Sequence, residues 1–376
     1  MERKLTKTGA TSLAALCCLS MWVGIGCSTD IDLTAPYERT PVVFSLLEAA
    51  QDTQWVRINR TWLGDGNQFD AAMVQDSSEY DRDDLIVAMD ERSGEQVLRT
   101  WQLQDTVIEN KSTDGIFYGP NHQMWFFVPE GGLDSEAEYD FSMDIADGTH
   151  AEASTNMIAT QAGNITQPPP GVVNFKFGFA SIGFQTTYPD ITFKWSSTEG
   201  ASQYDISMRI HVTERIWADL EHTQLVDELD RIIEWPMGSL RTDTDEGGEV
   251  LQKEVNGERF FTTLSTQLVE DPYITRVLGS WDENVQIARA FDFILTIANE
   301  ELATYLEINS PVTGVIQERP EYTNINGGLG LFASRASQGV YGVGYTTSTI
   351  EQLMEGDATA ALNFCTPNPF SDFFCD

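Results

Sequence analysis

Tyr139, Phe141, Met143 and Ile145 alternate without a break with Asp140, Ser142 and Asp144. A period of two puts all the apolar side chains on one face of an extended strand, a pattern that a helix cannot use. The pattern recurs at Ile191, Phe193 and Trp195, spaced by Thr192 and Lys194. It is longest at Tyr204, Ile206, Met208, Ile210 and Val212, spaced by Asp205, Ser207, Arg209, His211 and Thr213. Each such strand must bury its apolar face against another layer, so the chain is committed to stacked sheets.

Turn chemistry frames these strands. Leu85 to Met89, Arg92-Ser93-Gly94 and Val97-Leu98 read as a hairpin, and Asp147-Gly148 turns the chain back into Ala151 to Thr155. Val56, Ile58 and Trp62 form an earlier strand, and Met124 to Val128 another that Pro129 ends. Gln167-Pro168-Pro169-Pro170-Gly171 has the semi-rigid composition of a linker. Helical spacing returns at Phe261, Leu264 and Leu268. Asn299 is an N-cap for a short helix carrying Leu302, Tyr305 and Leu306, and Ser348-Thr349-Ile350-Glu351 reads as a capping box. The expected fold is mainly β: two β-sandwich domains of immunoglobulin or fibronectin type, the second with short helical insertions.

The N-terminus sets the address. Arg3, Lys4 and Lys7 precede an uncharged stretch from Thr8 to Gly26, and Cys27 follows with polar Ser28-Thr29-Asp30 behind it. Basic region, apolar region and small residue make a secretory signal peptide. A cysteine at the boundary is similar to a bacterial lipoprotein signal, which implies that Cys27 is acylated and becomes the new N-terminus. A retained membrane helix is the competing interpretation of the same stretch. The expected division is signal peptide 1–26, tether 27–40, β-sandwich 41–166, linker 167–171, fibronectin-like β domain with helices 172–356, and a disulfide-tied tail 357–376.

The net charge is −36, and loss of residues 1–26 takes it to −38. Such a field repels phosphate backbones and excludes nucleic acid as a partner. It also opposes adhesion to anionic headgroups, so contact with the bilayer falls to the lipid on Cys27. Six Lys against sixteen Arg fit either a high-salt habitat or a generic acidic secreted protein. Of five cysteines, Cys365 and Cys375 are left once the signal and Cys27 are set aside, and they read as a disulfide holding down the C-terminal tail.

No motif for chemistry stands out. His122, His150, His211 and His222 never fall at zinc spacing, no GxSxG elbow or phosphate loop is present, and no catalytic residue or cofactor is expected. The run Asp243 to Glu249 echoes a calcium loop but lacks the distal Glu, and reads as a solvated acidic loop. Phe370, Phe373 and Phe374 are expected to pack the tail down.

Trp195, the Gly200-Ala201 bend and Tyr204-x-Ile206 resemble the B and C strands of fibronectin type III modules. More specific is Tyr322-Thr-Asn324-Ile-Asn-Gly327-Gly328-Leu-Gly330-Leu-Phe332-Ala-Ser-Arg335. It resembles the C-terminal signature of a large family of Bacteroidota outer-membrane lipoproteins of unknown function. The likeness spans roughly residues 27–355 and includes Asn299-Glu300-Glu301-Leu302-x-x-Tyr305. The resemblance implies a non-catalytic lipoprotein on the outer membrane, on its cell-surface side, acting as an accessory to a TonB-dependent transporter or similar complex. Asp30 and Asp32 resemble the family's surface-export signal. The alternatives are a glycan-binding or adhesion lipoprotein and, further off, a carboxylate-dependent hydrolase.

Overall fold

A computed structural model describes residues 37, 39–63, 67–109, 111–159, 165–242, 244–310 and 321–375. Cys27 and the rest of the signal and anchor region lie outside the described residues. The described residues between 40 and 375 form one compact unit, mainly β as expected.

The first half builds two facing sheets. One joins β1 (Pro41–Leu47), β2 (Gln54–Arg60), β6 (His122–Phe127) and β5 (Gln104–Ile108); the other runs β4 (Gln96–Gln102), β3 (Leu85–Ser93), β7 (Glu138–Ile145) and β8 (His150–Asn156). The inward residues are the alternating ones. Val43, Val56 and Trp125 meet Val87, Met89, Tyr139, Phe141 and Met143 in a single core. A buried polar network stiffens one end: Tyr139 donates to Glu91 Oε2 at 2.7 Å, and Arg99 pairs with the same carboxylate.

The second half opens with β9 (Lys176–Phe177) and a small hairpin of β10 (Ser181–Ile182) and β11 (Thr186–Thr187). Next, β12 (Asp190–Ser196) pairs with β15 (Val250–Asn256), and β13 (Gln203–Trp217) pairs with β14 (Leu225–Arg241) and β19 (Phe291–Ala298). Between β15 and β19 lie the helix α1 (Glu258–Gln267) and the strands β16 (Ile274–Leu278), β17 (Ser280–Asp282) and β18 (Ile287–Arg289). Trp195 and Tyr204 are both fully buried with ring centroids 5.7 Å apart. Phe193 stacks on Phe293 at 4.7 Å across the sandwich.

Helices α2 (Glu300–Asn309) and α3 (Thr347–Glu355) flank the strand β20 (Leu329–Tyr345). Asn299 caps α2 as expected, its Oδ1 accepting from Leu302 N–H at 3.2 Å. The Ser348 capping box is not what forms. The N-cap of α3 is Thr346, and the Thr349 hydroxyl accepts instead from Phe179 N–H at 2.8 Å.

Two expected boundaries differ. The start of the Pro-rich stretch is tied to β12, where Gln167 and Lys194 exchange backbone bonds of 3.0 and 3.1 Å. The tail belongs to the second core, because Leu362 and Phe364 are buried in it and β21 (Phe364–Cys365) pairs parallel with β16.

Strand β20 joins the halves. Residues 329–334 run parallel to residues 42–47 of β1, and residues 335–343 then run antiparallel to β19. Ile325 and Phe332, from the second half by sequence, sit in the first core.

Candidate functional site

The resembling segment folds into this joint. Asn324 clamps it: the side-chain amide donates to Phe332 O at 2.6 Å and its carbonyl accepts from Phe332 N–H at 2.9 Å. Asn326 pairs with Glu152 of β8 through backbone bonds of 2.8 and 3.0 Å and a side-chain bond of 2.8 Å. Gly327 and Gly330 have φ of +77° and +115°. A Cβ on Gly330 would lie 1.9 Å from Val43 O, and one on Gly327 would lie 2.3 Å from His150 O. Both positions need glycine twice over, for backbone conformation and for close approach. A Cβ on Gly328 would press on Pro41 O at 3.0 Å. Phe332 is fully buried 6.0 Å from Phe141, and Tyr322 packs half-buried beside Leu302 and Leu331.

The clamp extends to neighbouring strands. Asn299 Nδ2 donates to Thr155 Oγ1 at 2.8 Å, and Ser334 Oγ donates to Asn156 O at 2.6 Å. His150 sits between Asp144 at 2.8 Å and Glu152 at 3.5 Å. Its bond to Asp144 raises its pKa, while the Asn326 and His150 partners lower that of Glu152.

Arg335 ends the segment and opens a recess of about 500 Å³ on the outer face of the sheet. The floor is Phe44 and Leu46 of β1, and the walls are Trp55 of β2 with Tyr305 and Leu306 of α2. Phe44 meets Tyr305 edge-on at 6.1 Å. Arg335 Nε donates to Glu48 at 2.9 Å; the Glu48 side chain is 7% exposed and the Arg335 side chain 42%. Gln54, itself buried, fixes this corner, with Nε2 donating to Glu48 O and Gln51 O at 2.9 and 2.8 Å. An apolar concavity with one paired charge at its end has the make-up of a binding recess.

The sequence picked out Arg335, Leu302, Tyr305 and Leu306 but missed Phe44 and Glu48. Their signal is present in Val42, Phe44 and Leu46. β1 is apolar on both faces, and a strand with one wet face has no use for that.

The remaining candidates fall elsewhere. Cys365 and Cys375 form the expected disulfide, with Cα atoms 5.2 Å apart. Phe370 is 79% exposed beside Trp281 and Phe374 is half-exposed, so neither packs the tail down as expected. His211 is paired with Asp292 at 2.8 Å in a separate recess of about 450 Å³. Glu136, Glu199, Asp245 and Glu246 line an open polar crevice. Among the described residues no three His, Cys, Asp or Glu side chains group closely enough to hold a metal, and no helix is long and apolar enough to cross a membrane.

No protein-family model matches the chain, and no curated protein is similar to it. Among solved structures, it is similar to the C-terminal globular domain of an oligosaccharyltransferase from Pyrococcus abyssi, at 8% identity and a TM-score of 0.22. That match covers 65% of this chain and 47% of the other, so the chain spans about half the length of that relative. Trypsin-activated alpha-2-macroglobulin from Escherichia coli matches at 10% identity and a TM-score of 0.17, covering 82% of this chain and 16% of that one. The BSP domain of a biofilm-associated protein matches at 6% identity and a TM-score of 0.14, covering 81% and 60%. At these scores none of them bears on function.

Proposed function

We propose that this chain is a non-catalytic lipoprotein, anchored by acylated Cys27 to the outer membrane on its cell-surface side. It acts as an accessory or binding subunit of a surface complex such as a TonB-dependent transporter. Membership of the Bacteroidota lipoprotein family rests on the segment from Tyr322 to Arg335 and is part of the same proposal.

The observation that carries it is the recess between β1, β2 and α2. Its charged groups, Glu48 and Arg335, neutralise each other. Aromatic edges and aliphatic walls around a satisfied ion pair suit recognition of an apolar anchor on a partner. Half-exposed Trp55 and Phe44 also favour the second reading, a glycan-binding lipoprotein in which the rings stack on sugar.

The experiment is detergent extraction and affinity purification of the full chain, with Phe44→Ser/Leu306→Ser alongside. Copurification of an outer-membrane barrel protein that the variant loses supports the proposal. Purification without such a partner, or loss of nothing in the variant, sinks it. A glycan array that lights up instead moves the assignment to the second reading. A Cys27→Ser chain that stays with the membrane overturns the anchor.

A further inference from the structure

The long strand β14 is paired on one side only. Among the described residues it bonds to β13 and to no other strand, from Leu225 to Arg241. Pro236 stands at a register shift within it, a residue that tolerates only the edge of a sheet. The stretch from Leu225 to Trp235 would be roughly 33 Å long at the usual rise per strand residue, longer than an ordinary strand.

Its side chains are unusual for an exposed edge. Leu225, Val226, Leu229 and Ile232 are between 46% and 62% exposed. Proteins commonly blunt such an edge with lysine, and β14 contains none. It carries Asp227, Glu228, Asp230 and Glu234 against Arg231 alone over the same stretch. Some of these acids touch β13: Glu234 pairs with Arg209 at 3.0 Å, and Asp230 accepts from Thr213 Oγ1 at 2.8 Å. The pairs are solvent-exposed and screen little of the field at the free edge.

We propose that the outer edge of β14 is a strand-addition site for an extended segment of a partner protein in which apolar and basic side chains alternate. Backbone bonds to the edge short of Glu234, whose carbonyl already accepts from Gln267 Nε2 at 3.0 Å, supply affinity; Leu229 meets the apolar face of the added strand, and Glu228 and Asp230 on the opposite face select lysine or arginine. A second copy of this chain is a poor occupant. Two copies each carry a net charge of −36, and the four acids against one arginine on each β14 edge add local repulsion to that field. The acids thus close the edge to copies of this chain, net charge −36, while leaving it open to a cationic strand. This surface is separate from the Phe44 recess, and the proposal stands independently of that site.

The test uses the full chain in detergent and two blocked ten-residue peptides, one alternating Val and Lys, the other Val and Glu. The expected result is at least tenfold slower amide exchange over residues 225–235 with the Val-Lys peptide, weakened by salt, and none with the Val-Glu peptide. Val226→Lys/Ile232→Lys, at exposed positions, should bind the Val-Lys peptide at least tenfold more weakly with an unchanged unfolding midpoint. Equal protection by both peptides, protection elsewhere than β14, or full binding by the variant overturns the proposal. Sedimentation showing a dimer that the same variant abolishes overturns it in favour of self-pairing.

Discussion

Gly330→Ala attacks the joint where it is tightest. The new Cβ would sit 1.9 Å from Val43 O, and φ at this position is +115°. Backbone strain of this kind costs about 1–3 kcal/mol. The steric overlap falls on main chain, so the strand cannot accommodate it by turning a side chain. Opening the parallel pairing of residues 42–47 with 329–334 relieves it, and losing two or three ladder bonds adds about 1–4 kcal/mol. The total is about 2–7 kcal/mol, or a fall of about 0.7–2.3 M in the urea midpoint for a slope near 3 kcal/mol/M. Gly94→Ala is the control, since φ there is +58° and nothing lies within 4 Å of the added Cβ. It should cost only about 1–2 kcal/mol. If Gly330→Ala loses no more than Gly94→Ala, the steric account of the joint is refuted.

Other perturbations report on the same region. Asn324→Ala removes both bonds to Phe332 and should cost about 1–3 kcal/mol by denaturant unfolding. Arg335→Ala strands the Glu48 carboxylate at 7% side-chain exposure; a cost of about 2–3 kcal/mol, partly recovered in Arg335→Ala/Glu48→Ala, is expected from a double-mutant cycle. His150 has a raised pKa in the fold, chiefly from its bond to Asp144. Its stabilising contribution is therefore full below the ordinary histidine value and is lost as pH rises through the raised one. Glu152 has the opposite sign: its pKa is lowered, so its contribution holds above the ordinary carboxylate range and fades as pH falls through the lowered value. An NMR titration should show His150 titrating late and returning towards its ordinary value in Asp144→Asn. Reducing Cys365–Cys375 should destabilise the fold by about 3 kcal/mol, the chain-entropy value for a loop of this size.

Much of the fold was legible wherever the constraint is local. Tyr139 to Ile145 and Tyr204 to Val212 alternate, and the structure buries the expected face of each. Asn299 caps its helix because a cap needs only its own turn. The joint was not legible. Leu329–Tyr345 forms one strand, yet it leaves β1 for β19 between Ser334 and Arg335. Nothing in seventeen residues announces a change of partner, least of all from a strand near the other end of the chain. Ser348 failed for a similar reason, since Phe179 claims the neighbouring Thr349 hydroxyl through a long-range bond. The recess was half legible: α2 gave its wall, while Phe44 and Trp55 needed the β1–β2 pairing to come beside it.

Residue-resolved amide exchange along β20 tests most directly whether one strand holds both halves together. A shared strand predicts that residues 329–334 and 335–343 open with the same free energy, and that Gly330→Ala lowers protection on both sides of Arg335. Two distinct opening energies, with the mutation felt only before Ser334, would contradict it.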